Sequence, residues 1–236
     1  MLLFLDFDGT LHPKWEFPET GGLTARPYRG PWLKEAPILS LLLAPLGDEV
    51  QIVVSSRWAY MRDLEELKSQ LPDDVAMRVI DSIWLSELIT STWSEYSSAQ
   101  ATKHACIRLW LERRRPDSVE TWLALDDEDH SWPDVDIPHL FHARGTLANP
   151  DVQRELVKRL ARMSGSLVLE QRLLDGIAVV QCLREQSGLG TTDAVNWYRN
   201  EMLQELGGRT AEQLVVAGRS DSVMSYIHNL SAGATG

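Results

Sequence analysis

The sequence predicts an α/β fold followed by a small helical domain, and two observations carry this prediction. Short apolar runs rich in β-branched residues, the pattern of buried strands, recur along the N-terminal part of the chain. Segments with helical spacing of apolar residues follow several of these runs, and strands that alternate with helices favour a sheet covered by helices. The predicted strands are 1–5, 50–54, 76–80, 121–125 and 139–143, and the predicted helices between and after them are 61–68, 103–111 and 151–160.

The first predicted strand ends on two carboxylates, Asp6 and Asp8, and is followed by Gly9 and Thr10. Glycine and threonine suit a tight turn directly after a strand, and such a turn lets both carboxylates face one site. A turn rich in Asp and Gly with no chemical role is the alternative interpretation.

The second buried run, 50–54, ends at Ser55, Ser56 and Arg57. A hydroxyl and backbone N–H groups between a strand end and a helix start can hold a phosphoryl group, and a guanidinium can bind its oxygens. The serine also suits the N-cap of the helix predicted over 61–68. Both interpretations use the same N–H groups, so they are compatible.

A lysine and an acidic cluster follow in the second half of the predicted sheet. Lys103 begins a predicted helix, where the helix dipole disfavours a cation, so a specific partner is expected. The run 121–125 ends on Asp126 and Asp127, and clustered carboxylates repel one another and tend to stay protonated unless a cation neutralises them. Oxygen ligands suit Mg²⁺. Glu128 and Asp129 are predicted to be solvated loop acids.

These four motifs, in this order, resemble those of the haloacid dehalogenase (HAD) superfamily. The resemblance implies a doubly wound, mostly parallel, Rossmann-like sheet and a phosphatase that forms an aspartyl-phosphate on its nucleophile. It implies Asp6 as nucleophile, Asp8 as general acid and base, and Ser55 and Lys103 as groups that stabilise the transferred phosphoryl group. The implied Mg²⁺ site comprises Asp6, Asp8, Asp126 and Asp127, with either of the last two as the direct ligand, and the implied substrate-binding residues include Thr10, Ser56 and Arg57.

Two segments could hold a cap domain, one between Thr10 and the second motif and one between Ser56 and Lys103. Neither is long enough for a large cap, so an open site for a bulky phosphate ester is expected. Among capless members, the chain looks most like polynucleotide phosphatases and the HAD modules of RNA-repair proteins, which implies phosphate on a nucleotide or nucleic-acid end as substrate. A small phosphometabolite is the alternative. Arg26, Arg29 and Arg57 could contact neighbouring phosphates of such an end, and Trp15, Tyr28 or Trp32 could offer a base a stacking surface. The alternative is that these aromatic residues only pin the loop to the core.

Composition restricts the setting of the protein. The 236 residues carry a net charge of −11, which disfavours non-specific binding to nucleic acid. No apolar run approaches the length of a membrane span, and the N-terminus lacks the basic lead of a signal peptide. Cys106 and Cys182 show no metal-ligand spacing, so we expect a reduced, cytoplasmic protein with no membrane partner.

A domain boundary is predicted within 163–166, so that residues 1–163 form the HAD-like domain and 164–236 a helical one. Helices are predicted over 167–186, 192–206 and 210–230, with caps at Thr191 or Thr192 and at Thr210. Trp197, the run 206–210, Leu214 and Gly218 resemble the toxin-binding domain of Xre/ParS-type antitoxins, which implies a protein partner for 164–236. The alternatives are a generic helical bundle, or a regulatory protein in which this tail binds a partner and the HAD core is secondary.

Overall fold

The computed structural model describes residues 1–13, 32–84, 102–116, 121–130 and 132–233. The chain divides into two compact units. The first unit comprises Met1–Ala36 with Leu46–Leu147, and the second comprises Pro37–Pro45 with Ala148–Gly236. The predicted domain boundary at residues 163 and 164 stays a prediction.

The first unit contains a five-stranded sheet in which every pair of neighbouring strands is parallel. Its strand order is β3-β2-β1-β4-β5, so the chain winds outward from β1 in both directions. This topology confirms the predicted doubly wound α/β fold. The strands are β1 (Leu2–Leu5), β2 (Gln51–Val54), β3 (Val79–Ser82), β4 (Trp122–Asp126) and β5 (Leu140–His142).

The register of the sheet aligns the ends of its central strands. Leu5 at the end of β1 lies opposite Val54 of β2 and opposite Leu125 of β4. The residues that follow these three positions are therefore level with one another at one edge of the sheet. Open α/β sheets bind ligands at this edge, where the strand order reverses, here between β1 and β4.

Aromatic packing beside β1 and β4 makes the core of this unit. Phe4 forms edge-to-face contacts with Trp110 and Trp122, with ring centroids 5.6 and 5.8 Å apart. All four residues of β1 are buried, as expected for a strand covered on both faces. Trp110 and Ile107 project into the same core from the helix Lys103–Arg114. This packing fixes the helix, and with it Lys103 at its first position.

Three other helices of the first unit are short, and they revise two sequence predictions. The helix predicted over 61–68 is two helices, α2 (Trp58–Met61) and α3 (Leu64–Lys68), because Asp63 caps the second by accepting a hydrogen bond from the Glu66 N–H at 2.7 Å. The strand predicted over 76–80 begins only at Val79, because α4 (Asp73–Ala76) occupies the preceding residues. The helix Lys103–Arg114 is α5.

The second unit is helical, as predicted, but two of its predicted helices are interrupted. The helix predicted over 192–206 ends at Asn200, and an antiparallel pair, β6 (Met202–Leu203) and β7 (Arg209–Thr210), follows it. Gly207 and Gly208, both with positive φ, form the turn of this pair. The helix predicted over 210–230 is broken at Gly218, with φ of 74°. The helices are α1 (Ala36–Leu43), α6 (Pro150–Ser164), α7 (Leu167–Ser187), α8 (Thr191–Asn200), α9 (Ala211–Val216) and α10 (Ser220–Gly233).

Helix capping in this unit follows the sequence at one position and departs from it at another. Thr210 and Gln213 form a reciprocal capping box, which confirms the predicted cap of α9. The predicted cap at Thr191 or Thr192 is wrong, because Gly190 takes the N-cap position of α8 and no side chain bonds there. Across the described ranges, no helix is long and apolar enough to cross a membrane.

Candidate active site

The centre of the site is a group of three carboxylates around one ammonium. Oxygens of Asp6, Asp126 and Asp127 lie within 4.8 Å of one another. Lys103 Nζ lies 3.1 Å from Asp6 Oδ2 and 2.8 Å from Asp126 Oδ2. The predicted partner of Lys103 is therefore this pair of aspartates. Three carboxylate oxygens this close to one another suit an additional metal ion with oxygen ligands.

Burial controls the ionisation of this group. Asp6 is 3% exposed, and burial raises its pKa from 3.8 to about 7, although Lys103 opposes the shift. Burial also raises the pKa of Asp126 against the same opposition. Burial alone would lower the pKa of Lys103, but Asp6 and Asp126 outweigh it and raise that pKa. Lys103 is therefore held charged, and a second cation would favour the ionised form of both aspartates.

Asp8 lies in a separate environment beside these carboxylates. Its Oδ2 accepts a hydrogen bond of 2.8 Å from the indole Nε1 of Trp58, and its Oδ1 lies 3.7 Å from His12 Nδ1. Its carboxylate is not in the three-membered cluster found among the described residues. The sequence interpretation did not identify Trp58 as a site residue. Its position directly after the Ser55-Ser56-Arg57 motif is the only signal the sequence offers.

Two buried hydroxyls lie in the segments that follow β1 and β2. Ser55 and Thr10 are fully buried, and Ser55 Oγ and Thr10 Oγ1 have no hydrogen-bond partner in the described part of the chain. A buried hydroxyl without a partner is costly, and an oxyanion is a suitable acceptor for it. Ser56 is also buried, but its Oγ accepts a hydrogen bond from the Trp58 N–H at 3.4 Å. The predicted serine cap is wrong, because Arg57 takes the N-cap position of α2 and Asp63 takes that of α3. The Ser55 hydroxyl therefore remains available to a ligand.

The predicted arginines do not all fall within the described structure. Arg57 is exposed and directly precedes α2, with no cap bond from its side chain. Arg26, Arg29, Trp15 and Tyr28 lie outside the described residues. Their predicted contacts with substrate stay predictions.

His142 contacts the loop that carries Asp127 at two points. His142, at the end of β5, lies level with Asp126 in the sheet. Its Nε2 is 3.0 Å from the Asp127 carbonyl oxygen and its Nδ1 is 3.0 Å from Asp129 Oδ2. Asp129, expected to be a solvated acid, is half exposed but is held by this histidine. These contacts fix the backbone that follows β4.

Gly9 is required by both its backbone and its surroundings. Its φ is 71°, and a Cβ at this position would lie 2.3 Å from Asp127 Oδ2. We expect Gly9→Ala to displace the Asp127 carboxylate, to weaken Mg²⁺ binding, and to lower stability by more than the ~1–2 kcal/mol of left-handed backbone strain. Calorimetric titration with Mg²⁺ and thermal unfolding measure both effects.

Gly165 provides the matched control for this substitution. Its φ is 70°, but a Cβ there would meet no atom within 4 Å. Gly165→Ala therefore isolates the backbone strain. Equal loss of stability in the two variants, with unchanged Mg²⁺ affinity in Gly9→Ala, would contradict the steric argument.

A doubly wound parallel sheet with a carboxylate cluster, a lysine and buried hydroxyls at its switch point defines a class of α/β proteins built for anionic ligands and metal ions. The family comparison specifies the class further. A family model described as the HAD domain in Swiss Army Knife RNA repair proteins matches residues 2–152, and the chain belongs to this family. Membership confirms the predicted HAD relationship and indicates a phosphohydrolase family. No significant match was found among curated proteins or solved structures.

The matched residues do not include the C-terminal helices beyond the start of α6. The antitoxin-like interpretation of 164–236 and its protein partner therefore have no support from the comparisons and stay predictions.

Proposed function

We propose that this protein is a Mg²⁺-dependent phosphohydrolase that forms an aspartyl-phosphate on Asp6 and acts on phosphate at a nucleotide or nucleic-acid end. The observation that carries the proposal is the position of Asp6. Its carboxylate lies against Lys103, within 4.8 Å of the oxygens of Asp126 and Asp127, at the sheet edge that also carries the buried Ser55 hydroxyl. Phosphoryl transfer requires a nucleophile, cations and hydrogen-bond donors close together, and this edge of the sheet provides them.

The donor set fits Mg²⁺. Carboxylate oxygens are its preferred protein ligands, and the oxygens of three aspartates lie within 4.8 Å of one another in this cluster. Within the proposal, Asp6, Asp126 and Asp127 hold the ion through their carboxylates, and Asp8 completes the predicted set. A bound Mg²⁺ would offset negative charge on the phosphoryl oxygens.

The chemistry then proceeds on the chain's own residues. The Asp6 carboxylate attacks phosphorus, the bond from phosphorus to the leaving oxygen breaks, and Asp8 donates a proton to that oxygen. Asp8 next takes a proton from water, which attacks phosphorus and releases phosphate and free Asp6. Lys103 and the Ser55 hydroxyl stabilise the charge on the transferred group. Phosphate monoesters are extremely slow to hydrolyse unaided, so these positioned charges have to lower a high barrier.

The substrate class follows from the family and from the predicted absence of a large cap. The test is kcat/KM, with Mg²⁺ present, for a 3′-phosphorylated oligonucleotide, a 5′-phosphorylated oligonucleotide and a sugar phosphate. We expect one of the oligonucleotides to be the best substrate. A preference for the sugar phosphate would overturn the nucleic-acid part of the proposal and favour the small-metabolite alternative.

The hydrogen bond from Trp58 to Asp8 is expected to support catalysis. Trp58→Phe keeps an aromatic ring but removes the indole N–H that lies 2.8 Å from Asp8 Oδ2. Because hydrogen bonds to charged groups contribute ~1.5–3 kcal/mol, we expect kcat to fall ~10- to 100-fold. Mg²⁺ affinity should change less than kcat, since Trp58 does not contact the clustered carboxylates of Asp6, Asp126 and Asp127.

Trp110→Phe is the matched control. Trp110 Nε1 donates a bond of 2.9 Å to Asp81 Oδ2 within the core, so this variant loses the same type of interaction. It should lose stability but lower kcat in the folded fraction far less than Trp58→Phe does, because phenylalanine keeps the aromatic packing that fixes α5. If the two variants lost activity equally, the bond from Trp58 would have no special role.

Mg²⁺ binding should depend on pH through Asp6. Burial holds the pKa of Asp6 at about 7 in the metal-free protein, so below that pH a bound proton competes with Mg²⁺. Affinity should therefore fall ~tenfold for each pH unit below about 7 and level off above it. Titration calorimetry across this range measures the slope. Asp6→Asn should flatten this slope. An equal slope in that variant would show that the proton that competes with Mg²⁺ binds another group.

A further inference from the structure

Trp32 is an exposed aromatic residue that is held in a fixed position beside the site. Its side chain is 42% exposed, although its ring packs edge-to-face on Trp58 with centroids 5.3 Å apart. It also stacks on His12, at 6.1 Å between centroids and 25° between planes. A tryptophan ring that is packed against neighbours and still partly exposed offers a surface on which another ring can stack.

The backbone after Trp32 is strained. Leu33 has φ of 49°, the one described non-glycine residue with positive φ, and its side chain is buried. The turn is tied to the first motif, because the Glu35 N–H donates a hydrogen bond of 3.2 Å to the Leu11 carbonyl. Strained residues persist where the surroundings impose them, commonly at functional sites. Here the strain and the buried Leu33 anchor hold Trp32 at the surface.

Trp32 lies on the side of the site that receives the leaving group. It contacts Trp58, and Trp58 donates a hydrogen bond to Asp8, the proposed acid for the leaving oxygen. At a nucleotide or nucleic-acid end, the leaving oxygen belongs to the sugar. The nucleoside must therefore lie on the Asp8 side of the phosphate, where Trp32 is exposed.

A cation accompanies the exposed ring. The Arg62 guanidinium carbon is 5.8 Å from the centroid of the Trp32 ring, and the Arg62 side chain also pairs with Glu66. Aromatic rings and arginine planes are the surfaces on which unpaired bases stack, and an arginine also attracts a neighbouring phosphate. The guanidinium beside the exposed tryptophan therefore adds a donor for a neighbouring phosphate to the stacking surface.

We propose that Trp32 and Arg62 form a nucleobase subsite that binds the terminal base of the substrate through stacking and draws in the adjacent phosphate. The placement of the base rests on the proposed function, since it uses Asp8 as the acid for the leaving nucleoside. The stacking surface itself rests on the exposure of Trp32 and the position of Arg62.

Equilibrium binding tests the subsite without turnover. The probe is a fluorescently labelled trinucleotide with a 3′-phosphate, titrated in Mg²⁺ against the full-length Asp6→Asn protein and followed by fluorescence anisotropy. Adding Trp32→Ala should weaken binding ~tenfold, within the range measured for loss of one stacked base. Trp32→Phe should restore most of the affinity. Met77→Ala is the control and should have no effect. Met77 is also an exposed apolar side chain, but it precedes the start of β3, whereas the site lies at the ends of the strands.

Arg62→Gln provides a second variant that leaves the aromatic contacts in place. It should weaken binding of the same probe and reduce the dependence of affinity on salt. Unchanged affinity in both Trp32→Ala and Arg62→Gln would overturn the subsite. Equal weakening by Trp32→Phe and Trp32→Ala would also overturn it, because stacking would then not be the interaction measured.

Activity measurements separate this inference from the proposed function. In the chain with Asp6 intact, Trp32→Ala should lower kcat/KM for the 3′-phosphorylated trinucleotide ~tenfold more than kcat/KM for glycerol phosphate, mainly through a higher KM. An equal loss on both substrates would contradict a base subsite. Trp32-dependent binding of the probe without hydrolysis of either compound would overturn the proposed phosphatase and support the subsite.

Discussion

Replacement of Asp6 by asparagine is expected to abolish phosphate hydrolysis while leaving the protein at least as stable. The amide is not a nucleophile towards phosphorus, so activity should fall by at least ~10³-fold. The pKa of Asp6 is raised to about 7, so the folded state disfavours the ionised carboxylate, and above that pH this group opposes folding when no metal is bound. Asn removes the charge, and the melting temperature at about pH 8 without Mg²⁺ should therefore rise.

Asp134→Asn is the control for this experiment. Asp134 is an exposed carboxylate in the loop that follows β4, and it lies outside the cluster of three aspartates. Its replacement should change neither kcat nor the melting temperature. Residual activity of Asp6→Asn close to that of the unmodified chain would remove Asp6 as the nucleophile, whatever its effect on stability.

Replacement of Lys103 by methionine is expected to have the opposite effect on stability. Lys103 is 10% exposed and contacts two buried aspartates, so its loss leaves their charges uncompensated. Breaking a buried ion pair in this way costs ~3–5 kcal/mol. Activity should be lost as well, and Mg²⁺ should restore part of the stability because it neutralises the same carboxylates. Urea unfolding with and without Mg²⁺ measures the loss of stability and the part of it that Mg²⁺ restores.

Lys68→Met is the matched control for Lys103. Lys68 pairs with Glu65 at 2.8 Å, but Glu65 is 82% exposed, and surface pairs contribute only ~0–1 kcal/mol. A loss of stability in Lys103→Met no larger than in Lys68→Met would show that the central charges do not depend on this lysine.

The sequence was sufficient to locate the groups at the ends of the central strands. The apolar runs before Asp6, Ser55 and Asp126 predict buried strands, and the observed register brings the three residues to one edge. The partner of Lys103 was expected from the unfavourable position of a cation at a helix start. Local patterns are informative here because strand ends and helix starts determine where these side chains lie.

The residues that surround the site could not be predicted in the same way. Trp58 and His142 contact Asp8 and Asp127 across ~50 and ~15 positions of the sequence, and no local pattern encodes such pairings. The helix predicted over 61–68 is interrupted because a single capping residue, Asp63, starts a new helix. The helix predicted over 192–206 also ends early, at Asn200. The residues after it form the antiparallel pair of β6 and β7, whose turn uses two glycines with positive φ.

The most direct test of the central claim is to identify the phosphorylated residue. The protein is mixed with a 3′-phosphorylated oligonucleotide and Mg²⁺, quenched in acid within one turnover, and reduced with borohydride, which converts an aspartyl-phosphate to homoserine. Peptide mass spectrometry then locates the reduced residue. The account predicts homoserine at position 6 and none in Asp6→Asn. Rapid turnover of the substrate with no reduced residue at position 6, or with homoserine at another aspartate, would contradict it.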